Sequence, residues 1–289
     1  KDRRQRQMCI RDSNRSLQME KPFFLYMSHY AVHSPFQSDP RFIKNYESSK
    51  KPRSAKSFAT LIEGIDKSLG DLMDHVVEQG VAEDTLMLFV GDNGSDAPLG
   101  DTYGYFSSAP LRGKKGTCYE GGIRVTFIAG CAKNGQGNPF EIARNHLHHE
   151  QIGTVMDIFS TILDASNTTP PAKHQVDGVS LLPQLSGRIN KERTDQFMCH
   201  FPHSHRSSHF TSFRKGDWKL IYRYLDGEGK RKSKKPLPKY ELYNLRKDPY
   251  ETKNLALGNT GKTNEMIRLM SRQLETEDAL FPVRGDAEL

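Results

Sequence analysis

Apolar residues along the chain gather into short runs and one long periodic stretch. Lys21-Pro22-Phe23-Phe24-Leu25-Tyr26-Met27 is brief and aromatic-rich, too short for a helix, and predicts a buried strand over 23–27. It leads into Ser28–Pro35, a loop entry marked by proline. Phe58, Leu61, Ile62, Ile65, Leu69, Leu72, Met73 and Val76 recur at spacings of three and four, the signature of an amphipathic helix, and Gly80 stops it. Thr85–Val90 predicts a second buried strand, ended by Gly91-Asp92-Asn93-Gly94. Strand, long helix, strand is the rhythm of a parallel sheet covered by helices. A loop rich in Gly, Ser and Tyr fills 94–122. It is followed by a strand over Ile123–Ala129, a helical period over Ile152–Leu163, and a turn at Asp177-Gly178 into an apolar segment. From Gln196 the character changes to short strands. Phe213–Lys215 and Trp218–Tyr224, joined through Gly216-Asp217, predict a hairpin. Glu241–Leu245 predicts a further strand and Glu265–Glu275 a closing helix.

The fold class expected is α/β, a sheet covered by helices, with a smaller C-terminal α+β domain. The boundaries fall at residues 17–190 for the larger part and 191–289 for the smaller. Residues 1–13 have no hydrophobic period and no apolar core of a leader peptide, so 1–16 are expected to be an artefact or a disordered tail.

Composition narrows the function classes. With 35% hydrophobic and 27% charged residues over 289 positions, the chain is too apolar for disorder. No run approaches the roughly 18 apolar residues of a membrane span. The net charge of +7 suggests nucleic acid until its location is considered. Six basic residues sit in 230–239 and a surplus of three in 1–13; the remainder is slightly acidic. Neither segment interleaves aromatics with its charges, so a solvated basic loop is expected, with no nucleic-acid partner. The four cysteines show no C-x-x-C spacing and fix no redox compartment.

In open parallel sheets, ligands bind at the carboxyl ends of strands. Asp92-Asn93, following the 85–90 strand, places a carboxylate beside an amide oxygen. These are hard donors suited to Ca²⁺ or Mg²⁺, although Asp-Asn-Gly is also a common turn. His33 could donate a proton or rest satisfied in its loop. Lys115, flanked by glycines, could hold an anionic oxygen or face solvent. A metal pair, a lysine and a histidine on strand-end loops together describe a site for an anionic ester. Cation and lysine would neutralise the transferred group, and histidine would protonate the leaving oxygen.

Several strings resemble those of the type I, formylglycine-dependent sulfatases, arylsulfatase-like members of the alkaline phosphatase superfamily. They are Pro22–Pro35, Gly91-Asp92-Asn93-Gly94, Leu111–Val125 with its Tyr119-Glu120-Gly121-Gly122, Asp177–Leu182, and Glu241–Leu245 with Asp248-Pro249, Glu251-Thr252 and Asn254-Leu255. The resemblance implies an alkaline-phosphatase-like sheet and a smaller C-terminal domain. It implies that Asp92 and Asn93 supply part of a Ca²⁺ site, calcium being preferred to magnesium. It also implies that Lys115 contacts the sulfate and that His33 contacts it and assists the leaving group. Lys114 competes with Lys115, but Lys115 directly precedes Gly116-Thr117. Cys199–His205 is rich in histidine, and a zinc site is conceivable there. Its His200-Phe201-Pro202-His203, however, resembles the His-x-Pro-His segment that closes over the substrate pocket in many bacterial carbohydrate sulfatases. That resemblance implies that His200 or His203 contacts a sulfated sugar.

In this family the nucleophile is a formylglycine made from a Cys/Ser-x-Pro-x-Arg motif beside an Asp-Asp metal pair. None of the four cysteines stands in that motif, and no serine is expected to fit it either. The expectation is therefore a sulfatase C-terminal portion lacking the nucleophile motif, N-terminally truncated and inactive alone. Within the complete protein it would be a hydrolase of sulfated carbohydrates, periplasmic or secreted. The alternatives are a phosphoester or phosphonate hydrolase of the same superfamily and a non-catalytic sulfatase-like binding protein. A basic polyanion-binding module using 230–239 ranks last.

Overall fold

The computed structural model describes residues 2–98, 108–133, 139–148, 150–203, 209–224, 237–284 and 287–288. Contacts divide the chain into two compact units. One comprises Lys1–Phe89, Ala97–Gly104 and Phe127–Ile142; the other comprises Val90–Asp96, Tyr105–Thr126 and Ala143–Leu289. Most of the basic 230–239 segment lies outside the described residues.

In the first unit, helix α2 (Arg53–Glu78) forms as its period predicts, and Gly80 follows with a φ of +72° that suits a residue without Cβ. Residues 1–16 depart from expectation. Helix α1 (Asp2–Gln18) packs along α2. Ser13, fully buried, meets His75 Nε2 at 3.0 Å, and Arg6 pairs with Asp71 at 2.6 Å, with Lys67 on the same carboxylate. These contacts are polar, so a search for hydrophobic period passes over them. The 23–27 segment is not a strand. Its side chains alternate as in extended chain, with Phe24 and Tyr26 exposed and Phe23, Leu25 and Met27 half-buried. Among the described residues no strand lies alongside it. Strand β1 (Leu86–Val90) pairs instead with β2 (Phe127–Cys131). The strand expected over 123–129 is displaced because Glu120–Ile123 forms a helical turn, α3.

The second unit holds the main core. Helices α4 (Asp157–Ala165) and α5 (Leu182–Leu185) precede an antiparallel sheet of β3 (Gln196–Phe201), β4 (Phe210–Lys215), β5 (Trp218–Arg223) and β6 (Tyr240–Asn244), paired in that order. The β4–β5 hairpin closes with Lys215 opposite Trp218, so Gly216-Asp217 is its two-residue turn, as read from sequence. Side chains alternate across β5 and β6. Leu220 and Leu242, opposite one another, pack with Phe213 against Met266, Met270 and Leu274 of α6 (Thr260–Thr276). The next residues along, Ile221 and Tyr243, face the other way and pack on Cys118. Both faces of this sheet are therefore covered, one by a helix and one by a loop.

Candidate active site

The loop that carries Lys115 is anchored to the sheet by charge. On the face shared by Ile221 and Tyr243 stand Lys219, Arg223 and Glu241, all buried. Lys219 Nζ lies 2.8 Å from Glu120 and 2.8 Å from Glu251, and Glu251 Oε2 accepts the backbone N–H of Glu120 at 2.7 Å. Arg223 pairs with Glu241 at 2.6 Å and donates to the Tyr119 hydroxyl at 3.0 Å. Arg112 donates to the Tyr243 hydroxyl and to Glu251 O, each at 2.9 Å, with its guanidinium 3.8 Å from the Tyr119 ring centre. Burial opposes ionisation of Glu120, yet the Lys219 ammonium outweighs it and holds that carboxyl below the ordinary range. Burial pushes Glu251 up despite the same lysine. Burial likewise raises the Tyr119 and Tyr243 hydroxyls and the Cys118 thiol, so all three remain neutral.

Glycines bring the Asp92 turn onto this loop. Gly94 N donates to Gly122 O at 3.1 Å and Lys115 N to Ser95 O at 3.1 Å. A Cβ on Gly94 would collide with the Gly121 carbonyl, and one on Gly122 with the Thr117 carbonyl. Asp92, Asn93 and Lys115 are thus carried on two loops held edge to edge. Asp92 is exposed, and Asn93 Nδ2 donates to Asp92 Oδ1 at 2.6 Å. Asp92 Oδ2 and Asn93 Oδ1 have no hydrogen-bond partner among the described residues. Lys114 is held by Asp96 at 3.1 Å, while the Lys115 ammonium has no side-chain partner among the described residues.

The histidines are placed differently. His33 belongs to the first unit, is exposed, and contacts Ser34 O through Nδ1 at 2.9 Å. His200, on β3, engages both ring nitrogens, Nδ1 with Thr211 at 2.8 Å and Nε2 with Leu280 O at 2.7 Å. His203 is exposed, its ring 4.0 Å from that of Phe201. His205 lies outside the described residues.

Sequence reading missed the anchors. Lys219, Arg223 and Glu241 look like ordinary surface charges; their alternation with Leu220, Tyr222 and Leu242 was the available signal. It also passed over Ser108-Ala109-Pro110-Leu111-Arg112, which fits Ser-x-Pro-x-Arg. There the Ser108 hydroxyl donates to Gly121 O at 2.6 Å, and Arg112 is bound as described.

A family-wide sequence pattern described as Sulfatase matches residues 12–168, and one described as N-sulphoglucosamine sulphohydrolase, C-terminal, matches 137–279. Human N-acetylgalactosamine-6-sulfatase is 26% identical over 91% of this chain and 50% of its own length. A sulfatase of Formosa agariphila is 27% identical over 88% and 46%. Among solved structures, Ps i-CgsB in complex with k-i-k-neocarrahexaose superposes with a TM-score of 0.74 at 18% identity, covering 94% of this chain and 54% of that one. The chain thus spans about half the length of the curated relatives it matches.

These matches overturn the expectation of a mere C-terminal portion. The catalytic-domain pattern starts at residue 12, inside the stretch set aside as foreign, and the C-terminal pattern follows it to 279. Both domain types are represented, and the Ser-x-Pro-x-Arg spacing does occur. With more than half of its residues in the first pattern, the chain belongs to the sulfatase family, with that family's alkaline-phosphatase-like α/β fold and smaller C-terminal α+β domain.

Proposed function

We propose that this chain serves the hydrolysis of sulfuric esters on sulfated carbohydrates, with Lys115 and the Asp92-Asn93 pair at the sulfate. The observation that carries this reading is the clamped loop: Lys115 leaves its neighbour to pair with Asp96 and keeps its own ammonium for an anion, next to two hard oxygen donors. The name of one relative, an N-acetylgalactosamine-6-sulfatase, and the neocarrahexaose bound by the structurally similar Ps i-CgsB support a sulfated saccharide as substrate.

The donor set at Asp92-Asn93 fits Ca²⁺, a cation that takes about six to eight oxygen ligands and so draws on further donors; Mg²⁺ is the lesser fit. Asn93's amide hydrogens turn onto Asp92 Oδ1, which leaves one carboxylate oxygen and the amide oxygen as ligands. Bound there, the cation supplies neutralisation of charge on the sulfate oxygens. Lys115 adds a positive charge to the same group, and the buried ion network holds its loop against recoil. His33, on the family resemblance, protonates the leaving oxygen; its Nε2 has no hydrogen-bond partner among the described residues. Of the two C-terminal histidines, His203 meets the sugar, because both nitrogens of His200 are committed.

Turnover by this polypeptide alone is not expected, since in the Ser-x-Pro-x-Arg stretch the Ser108 hydroxyl is bound to Gly121 O. Export to the periplasm or beyond belongs to the same proposal; among the described residues no helix is long and apolar enough to cross a membrane.

Calorimetric titration with a sulfated galactoside and its phosphorylated counterpart, with and without calcium, tests the reading. The sulfate ester is expected to bind at least about tenfold more tightly, and only with calcium. Preference for the phosphate ester would put a phosphoester hydrolase in its place.

A further inference from the structure

We infer that His146, His148 and Glu150 form a binding site for a zinc-type divalent cation, separate from Asp92-Asn93. The three residues lie in the connection between β2 and α4, in the second unit. Residues 146–148 lie outside any helix or strand; His146 and Glu150 are exposed and His148 is half-buried. Leu147, between the histidines, is 75% exposed. One ligand atom from each of His146, His148 and Glu150 lies within 4.8 Å of the others.

The spacing suits a single ion. Four-coordinate zinc, with bonds of about 2.0–2.1 Å, separates its ligands by roughly 3.4 Å. His148 Nδ1 already stands 3.4 Å from Glu150 Oε2, and the two imidazole centres are 6.0 Å apart. The loop is also pinned on both sides. Ala143 N donates to Leu185 O at 2.8 Å, and Gln151 and Asn190 exchange two hydrogen bonds of 2.8 Å. Holding the ends reduces the freedom lost when ligands close on an ion.

The donors decide the metal. Calcium and magnesium favour shells of oxygen, whereas two imidazoles and a carboxylate suit zinc. Three protein ligands leave a fourth position for water or an anion, the pattern of an open zinc site.

The test uses the full chain stripped with chelator, titrated with Zn²⁺ against a chromophoric competitor while excess Ca²⁺ fills oxygen sites. One zinc per chain is expected. His146→Ala, His148→Ala and Glu150→Gln, each checked for folding by circular dichroism, should each weaken binding at least about tenfold. His203→Ala, an exposed histidine elsewhere, should leave it unchanged. Co²⁺ in place of zinc should show the intense visible bands of a four-coordinate centre, lost in His148→Ala. Absence of zinc binding in the wild-type chain, or wild-type affinity in the three loop variants, overturns the inference.

Discussion

Two adjacent lysines show how much one contact decides. Lys114 is half-exposed and paired with Asp96, a surface pair worth at most about 1 kcal/mol; Lys115 has its backbone fixed to Ser95 and its ammonium unengaged among the described residues. Replacing Lys115 by Ala should weaken sulfated-saccharide binding by about tenfold or more, whereas Lys114→Ala should change it less than about threefold, both read by calorimetry. The choice between them was legible in sequence only through the position before Gly116-Thr117. His200 was not legible at all: its partners, Thr211 and Leu280 O, lie 11 and 80 residues away. His200→Ala should lower the unfolding free energy by about 1 kcal/mol, by removing a partner of the buried Thr211 hydroxyl, with no change in saccharide affinity. Denaturant titration paired with calorimetry checks it, and a large affinity loss at constant stability would return His200 to the sugar.

At the level of elements, the β4–β5 hairpin and the helices α2 and α6 follow from turn chemistry and period. The 23–27 segment shows why an apolar run is not enough, since a strand needs a neighbour for its backbone groups. Helix α1 shows the converse, a polar stretch ordered by Ser13 and Arg6 against α2. The ion network explains why the Leu111–Val125 and Glu241–Leu255 strings occur together: one is the socket for the other. Lys219, enclosed by Glu120 and Glu251, is the critical member. Lys219→Met should cost about 3–5 kcal/mol in urea unfolding, because two buried carboxylates lose their cation.

The turn after β6 carries a pH dependence. Burial tends to raise the Asp248 carboxyl, but the N–H groups of Lys253 at 2.9 Å and Thr252 at 2.8 Å, with the Thr252 hydroxyl at 3.1 Å, hold it below its ordinary value. A depressed folded-state value means the stabilisation is present above the unfolded carboxyl's value, about 3.9, and is lost as pH falls through the lower, folded one. The urea midpoint of the wild type should therefore drop more between about pH 6 and about pH 3 than that of Asp248→Asn. Equal drops would show that Asp248 is not part of the acid limb.

For the whole molecule, sequence reading found the family and the order of its signature strings, because those strings are local. It did not find what joins them, because Lys219–Glu120 and Arg223–Tyr119 span about a hundred positions. The basic surplus also misleads at this scale: it is confined to 1–13 and 230–239 and says little about the site. The central claim is that a sulfated saccharide is held by Lys115 beside a calcium-bearing Asp92-Asn93 pair. The most direct measurement is calcium-dependent binding of that saccharide to the wild-type chain and to Asp92→Ala, by calorimetry at fixed salt. The account predicts that calcium strengthens binding to the wild type and has no effect on Asp92→Ala. An equal response to calcium in both proteins would contradict it.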